Sequence, residues 1–300
     1  MFYKLWPIKI IPFFMLYFLL PQLLQAQIKV LDDNQQSVVL THKAQRIISL
    51  SPSITEMLFA AGAGKQVIGV VSYSNFPPQA KKITSVGSYN SLDIEKIISL
   101  NPDLIIAWKS GNPIKQVNKL KALGYPVFIS EALNFEDISN NIKNFGILSG
   151  NEPVSQLQSQ QFITAINDLQ KKYKDKQQIS VFVQIWNKPV MTVGAKHIIS
   201  RVIQLCGGIN IFNNSKLTIT PDVESVIQAK PQLILSTGMA NLAKQWLKRW
   251  ENWTMIPAVR NNHLYSTNPD LLVRHSPRLV QGTKNVCLLI DKVRRSEHGN

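Results

Sequence analysis

Between residues 152 and 174 the chain reads EPVSQLQSQQFITAINDLQKKYK, in which Val154, Leu157, Gln161 or Phe162, Ala165 or Ile166, Leu169 and Tyr173 return at steps of three and four. That is the period of a helix with one apolar stripe. Pro153 suits a first helical turn, where its missing N–H has no partner to lose, and Lys171, Lys172 and Lys174 suit the negative end of the helix dipole. About 20 residues free of internal Gly or Pro give a rod roughly 30 Å long. Such a rod ties two bodies together.

Related segments flank it. DIEKIISLNPDLIIA over 93–107 and DVESVIQAKPQLILS over 222–236 match at Asp, Glu, Ile, Pro, Leu and Ile, each in a helix, turn, strand pattern with the Pro marking the turn. The expected architecture is two related α/β lobes joined by a helix. Helix, proline, strand units also occur across α/β proteins of many kinds, so the match is open to that plainer origin.

Residues 1–26 differ in kind. Lys4 and Lys9 precede or interrupt an apolar run over 10–20, and Pro21 and Gln22 lead to a small residue at Ala26. This is the layout of a cleavable secretory signal; a retained anchor is the alternative, although Pro12 shortens the run below a bilayer span. The organisation expected is a signal over 1–26, a first α/β lobe over 27–150, the linking helix over 151–176 and a second α/β lobe over 177–300. A hydrophobic content of 45% supplies cores for both lobes. The formal charge falls from +15 to +13 when Lys4 and Lys9 leave with the signal. Its basic residues are scattered, with no aromatic-interleaved basic motif, so a solvated surface is expected and no nucleic acid partner.

Cys206 and Cys287 are the only cysteines. In an exported chain an even pair points to a disulfide, with two buried thiols as the alternative. It would lock the second lobe only.

Along the chain, 28–40 reads as a short hairpin placed as an ornament before the first lobe. RIISL over 46–50 is a buried strand, and Ser53 with Glu56 has the spacing of a capping box for a helix over 54–61 that stops at Gly62. Gly62, Gly64 and Lys65 do not make a phosphate loop: Phe59 stands where one needs Gly, and Gln66 where one needs Ser or Thr. Apolar strand signals then alternate with helical ones to the end of the chain, the pattern of mostly parallel sheets with helices on their faces.

In open parallel sheets ligands sit beyond the carboxyl ends of the strands. The residues just after the expected strands are Tyr73, Tyr89 and Trp108 in the first half, and Trp186, Met191, Thr237 and the loop bearing Asp270 and Arg274 in the second. Aromatic walls with a few charged groups suit a large, flat or amphipathic organic molecule. The five histidines show no metal-like spacing, and neither HExxH nor GxSxG occurs, so no enzyme is expected.

Taken in order, RIISLSPSITEMLFAAGAG, VIGVVSYSNFPPQAKKI, SLDIEKIISLNPDLIIAW, CGGINIF and RHSPRLV resemble the periplasmic cobalamin-binding proteins that feed ABC importers, across nearly the whole span 46–287. SYSNFPP and NPDLIIAWKSGN carry the likeness to the cobalamin branch; the remainder is shared with siderophore and haem receptors. The resemblance implies two Rossmann-like lobes bridged by one long helix, a monomer in the periplasm, and cobalamin as transported ligand with no cofactor or metal of its own. It implies a ligand site of Tyr73, Tyr89, Trp108, Met191, Asp270 and Arg274. Relatives carry Trp where Tyr89 stands, an aromatic at Met191 and Trp at Thr218, so the aromatic wall of the second lobe is thinner here. The cysteine pair matches the family's bridge. Glu95 and Glu224, at equivalent places in the duplicated segment, would dock on the membrane permease of the importer. The alternative cargo for the same fold is haem or a ferric siderophore, served by Arg274, His275 and the tyrosines.

Overall fold

In a computed structural model of the chain, residues 2–3, 27–213, 216–238 and 240–298 are described; the expected signal lies outside them except for residues 2 and 3. The first lobe opens with a hairpin, β1 (Ile28–Leu31) and β2 (Ser37–Leu40), followed by β3 (Ile47–Ser49), α1 (Pro52–Ala60), β4 (Val67–Val70) and β5 (Thr84–Ser85). A minute hairpin, β6 (Gly87–Ser88) and β7 (Ser91–Leu92), leads to α2 (Ile94–Ser99), β8 (Leu104–Trp108), α3 (Ile114–Ala122), β9 (Val127–Ser130) and α4 (Phe135–Ser149). Then comes α5 (Glu152–Tyr173). The second lobe runs β10 (Ile179–Gln184), β11 (Thr192–Val193), α6 (Ile198–Leu205), β12 (Gly208–Asn210), β13 (Thr218–Ile219), α7 (Val223–Ala229), β14 (Leu233–Ser236), α8 (Ala240–Lys248), α9 (Pro257–Arg260), β15 (Leu264–Ser266), α10 (Pro269–Leu272) and α11 (Leu279–His298).

Both main sheets are parallel. Their orders, β5-β4-β3-β8-β9 and β12-β10-β14-β15, superimpose once the edge strand β5 is set aside. Duplication extends to the backbone: Asp93 and Asp222 cap α2 and α7 by accepting from Lys96 N and Ser225 N, and Asn101 and Lys230, each just before its proline, are left-handed at φ 44° and 46°.

The central strands are buried on both faces because both faces of each sheet are covered. Leu104 and Ile106 of β8, with Val181 and Val183 of β10, belong to one core that runs from lobe to lobe through Phe162, Ile166 and Tyr173 of α5. Ile105 and Ala107 belong to the first lobe's outer core, and Phe182 and Ile234 to the second's.

The rod forms, with a different inner face in its first half. Val154 and Leu157 are exposed, and Ser155 and Ser159 are buried instead. The helix lies so close on α4 that a Cβ on Gly146 would stand 1.9 Å from Ser155 Oγ, and Ser159 Oγ is 2.5 Å from Ser139 Oγ. Only small side chains fit there, so the apolar period does not select the buried face. The first hairpin is likewise more than an ornament: Asp33 accepts from Glu131 N and from Asn141 Nδ2, anchoring it to the end of β9. Cys206, capping α6, is bridged to Cys287 in α11.

Candidate functional site

Seven chain segments converge between the lobes, five from the first and two from the second. The turn after β3 brings Ser51, Pro52 and Ser53 with the start of α1; the turn after β4 brings Tyr73; the small hairpin brings Tyr89; β8 ends on Trp108 and β9 on Ser130 and Ala132. From the second lobe come His197, before α6, and Val273, Arg274 and His275, after α10. They enclose a cavity of about 370 Å³.

The aromatic side is pre-arranged. Tyr89 and Trp108 meet at a centroid distance of 5.8 Å with planes tilted by 51°. Asn112, buried beneath them, accepts from Trp108 N at 2.6 Å and donates to Tyr89 O at 2.7 Å and Leu50 O at 2.9 Å. Tyr73 is held at φ 66°, which costs an ordinary residue free energy, and its side chain is 72% exposed. Apolar ring surface at this mouth is available to a guest.

The charged side is already engaged. Arg274 Nη2 lies 2.9 Å from Asp270 Oδ1, and Nη1 donates to Asn75 Oδ1 at 2.8 Å and to Glu56 Oε1 at 3.1 Å. Glu56, with its side chain only 2% exposed, also accepts from Ser276 Oγ at 2.5 Å and from Arg278 Nε at 2.9 Å. The expected capping box of Ser53 and Glu56 does not form. Helix α1 starts earlier, with Pro52 in its first turn and Ser51 as N-cap, so Ser53 is within the helix and bonds to Ser51 Oγ, leaving Glu56 free to face the second lobe.

Two histidines complete the wall. His275 Nδ1 lies 2.6 Å from Ala132 O, and since a carbonyl only accepts, Nδ1 carries the proton. His197 Nδ1 accepts from Ile199 N at 3.1 Å, so it is the ring's unprotonated nitrogen. The rings meet edge to face at 5.6 Å. Burial, and secondarily the neighbouring His275, pushes His197 down to about 3. Burial likewise lowers His275, against the opposing pull of its Ala132 hydrogen bond and of Glu131. Both rings are neutral near pH 7.

Of the six residues singled out for ligand contact, Tyr73, Tyr89, Trp108 and Arg274 border this cavity. Asp270 does not border it and touches it through Arg274. Met191 does not border it; its backbone bridges to Trp186, whose ring packs on Trp246 at 6.1 Å. Glu95 and Glu224 are exposed in the first turns of α2 and α7. Sequence reasoning missed Glu56, whose partners lie more than 200 positions away, and the His197 and His275 pair, which no local spacing announces. A larger hollow, about 850 Å³, lies on the flank between α1 and α5 and is lined by Phe59, Phe76, Gln158 and Arg278. None of the six residues borders it. Among the described residues no group of three or more His, Cys, Asp or Glu could hold a metal ion, and no helix is long and apolar enough to cross a membrane.

The vitamin B12-binding protein of Vibrio cholerae serotype O1 is 36% identical over 245 residues, which is 81% of this chain and 88% of that one. Its counterpart in Vibrio parahaemolyticus is 35% identical over 252 residues, 84% of this chain and 91% of that one. The crystal structure of the periplasmic vitamin B12 binding protein of Vibrio cholerae superimposes with a TM-score of 0.77 at 35% identity, covering 84% of this chain and 98% of that one. A periplasmic heme-binding protein from Roseiflexus, 22% identical with a TM-score of 0.73 over 84% of this chain and 99% of that one, shares the fold. The family described as periplasmic binding protein matches residues 47–271. With two parallel-sheet lobes, a connecting helix and a cleft at their facing rims, the chain belongs to the periplasmic binding protein family.

Proposed function

We propose that this protein is a periplasmic receptor that captures cobalamin between its lobes and delivers it to the membrane permease of an ABC importer. The observation that carries the reading is the coincidence of two independent facts: relatives named for vitamin B12 binding match over four fifths of the chain, and the interlobe cavity is walled by Tyr73, Tyr89 and Trp108 opposite Arg274. Rings supply area to a broad, flat ligand, and Arg274, preset by Asp270 and Glu56, supplies a fixed donor for its amide or phosphate oxygens. The receptor works as a monomer and needs no cofactor of its own. Glu95 and Glu224, displayed alike on the two lobes, face a two-fold symmetric permease and dock there on basic residues.

A second reading, the same cleft holding haem, is favoured by the imidazole of His275 in its wall. Calorimetric titration of the mature protein with cyanocobalamin and with haemin separates the two. Binding of cyanocobalamin at one site per chain, with quenching of the fluorescence of Trp108, supports the first; binding of haemin alone overturns it.

A further inference from the structure

The imidazole of His275 has one nitrogen committed and one uncommitted. Nδ1 donates to the backbone carbonyl of Ala132 across the lobe boundary, which fixes the tautomer and leaves the lone pair on Nε2. Metal-ligating histidines are held in this way, with the far nitrogen tied to a carbonyl or carboxylate so that ring orientation and basicity are set before the metal arrives. Among the described residues no group pairs with Nε2, and the only buried side-chain polar atoms without a partner there are Asn141 Oδ1 and Thr267 Oγ1; Nε2 is therefore an unburied atom on a side chain that lines the cavity.

Its neighbour differs. His197 spends Nδ1 as an acceptor for Ile199 N, so its Nε2 carries the proton and offers a hydrogen bond, not a lone pair. The wall therefore presents one neutral nitrogen ligand and, beside it, one N–H donor. One ligand cannot hold a bare ion, and among the described residues no cluster of His, Cys, Asp or Glu could complete a coordination sphere. It can complete the sphere of a metal whose other positions are already filled by a macrocycle.

From this geometry we infer that His275 Nε2 is an axial ligand for the cobalt of the captured corrinoid, and that the cleft prefers corrinoids with an exchangeable axial position over those whose axial position is held by carbon. The inference rests on the cleft being a corrinoid site. The step is a ligand exchange: the Nε2 lone pair forms a bond to cobalt(III), the bound water leaves, and neither the oxidation state nor any proton on the ring changes. His197 Nε2–H stands ready to hydrogen-bond the departing water or a neighbouring amide oxygen.

The test uses the full mature protein with aquacobalamin and methylcobalamin, followed by absorbance and by tryptophan quenching. Aquacobalamin on the wild type should show the band shift that free imidazole produces on the same corrinoid, and methylcobalamin should bind with its spectrum unchanged. His275→Gln, which keeps a donor for Ala132 O, should abolish the shift and weaken aquacobalamin about tenfold more than it weakens methylcobalamin; a circular dichroism melt checks its folding, and the wild-type spectrum decides the question even if the variant fails to fold. Quenching by aquacobalamin without a shift overturns axial coordination and leaves the receptor reading standing. A shift with methylcobalamin, or one that survives in His275→Gln, assigns the ligand elsewhere and overturns the inference. Binding of neither corrinoid overturns both.

Discussion

Glu56 and Arg274 stand 218 positions apart in the chain and form a 3.1 Å ion pair that joins α1 of the first lobe to the loop after α10 in the second. The carboxylate is almost fully withdrawn from water, and Ser276 and Arg278 occupy its second oxygen. A carboxylate so placed would be costly without partners and is fully satisfied with them. The same contact presets Arg274 at the cavity and braces the two lobes.

Removing that charge isolates the brace. Glu56→Gln leaves two guanidinium groups facing a neutral amide in a half-buried site, and loss of one partner of such a pair costs about 3–5 kcal/mol. Urea unfolding should show a lower midpoint with an unchanged slope. A loss under about 1 kcal/mol would mean that the cluster is solvated enough to behave as a surface pair.

Capture and delivery should separate by mutation. Trp108→Ala removes the ring on which Tyr89 leans and should weaken cobalamin binding by about 2 kcal/mol, roughly thirtyfold. Glu95→Ala combined with Glu224→Ala, both on exposed first turns and neither in the cavity lining, should leave calorimetric affinity unchanged and abolish uptake in a transport assay. Equal loss of both properties in the double variant would merge the two roles.

What could be read from the chain followed the range of the interactions involved. The duplicated helix, proline, strand segments and the period of α5 are made by neighbours a few positions apart and are legible; the left-handed backbone of Asn101 and Lys230 is not, because a residue before proline ordinarily favours extended backbone. Four of the six residues singled out for ligand contact border the cavity, Trp108 among them at the end of β8, because strand ends are legible too. Glu56 was not, because the S-x-x-E spacing is a local pattern, whereas the contact that decides its role crosses the molecule. Nor was the inner face of α5: close approach to α4 at Gly146 demands serine where periodicity favours Val154 and Leu157. His197 and His275 acquire meaning only as a pair, and nothing in either neighbourhood names the other.

The disulfide makes a separable contribution. Cys206 and Cys287 close a loop of 81 residues wholly within the second lobe, for which chain entropy gives about 4 kcal/mol. Cys206→Ser with Cys287→Ser should lower the thermal midpoint, to the same degree as reduction of the wild type, with cobalamin affinity little changed because neither cysteine borders the cavity. Loss of binding in the folded double variant would place the bridge in the path of site assembly.

Acid should destabilise the fold through the histidine pair. His197 titrates at about 3 in the folded chain against 6.5 ordinarily, so between those values the unfolded chain takes up a proton that the folded chain refuses. Its contribution is complete above pH 6.5 and is lost as pH falls toward 3, at up to about 1.4 kcal/mol per pH unit; His275 is shifted in the same direction, with Glu131 the facing charge that opposes it. His197→Asn, which retains an acceptor for the N-cap of α6, should flatten the dependence of the urea midpoint on pH across this window. An unchanged slope would assign the acid sensitivity to other groups.

The lobes should move little when ligand binds. They are joined by a 22-residue helix whose buried face continues the core of both lobes, by the four-residue cluster around Glu56, and by the hydrogen bond from His275 to Ala132, all of which would have to break or bend in a wide hinge rotation. A helix resists bending more than crossing extended strands do, because each of its backbone hydrogen bonds spans the bend. Crystal structures with and without cobalamin, superposed on the first lobe, should therefore place the second within about 1 Å over its Cα atoms, with changes confined to side chains at the rim. Glu56→Gln should widen that difference, since it removes the brace and leaves α5 alone to hold the angle. A large rotation in the wild type would mean that α5 acts as a pivot and that the Glu56 cluster is a latch which cobalamin opens.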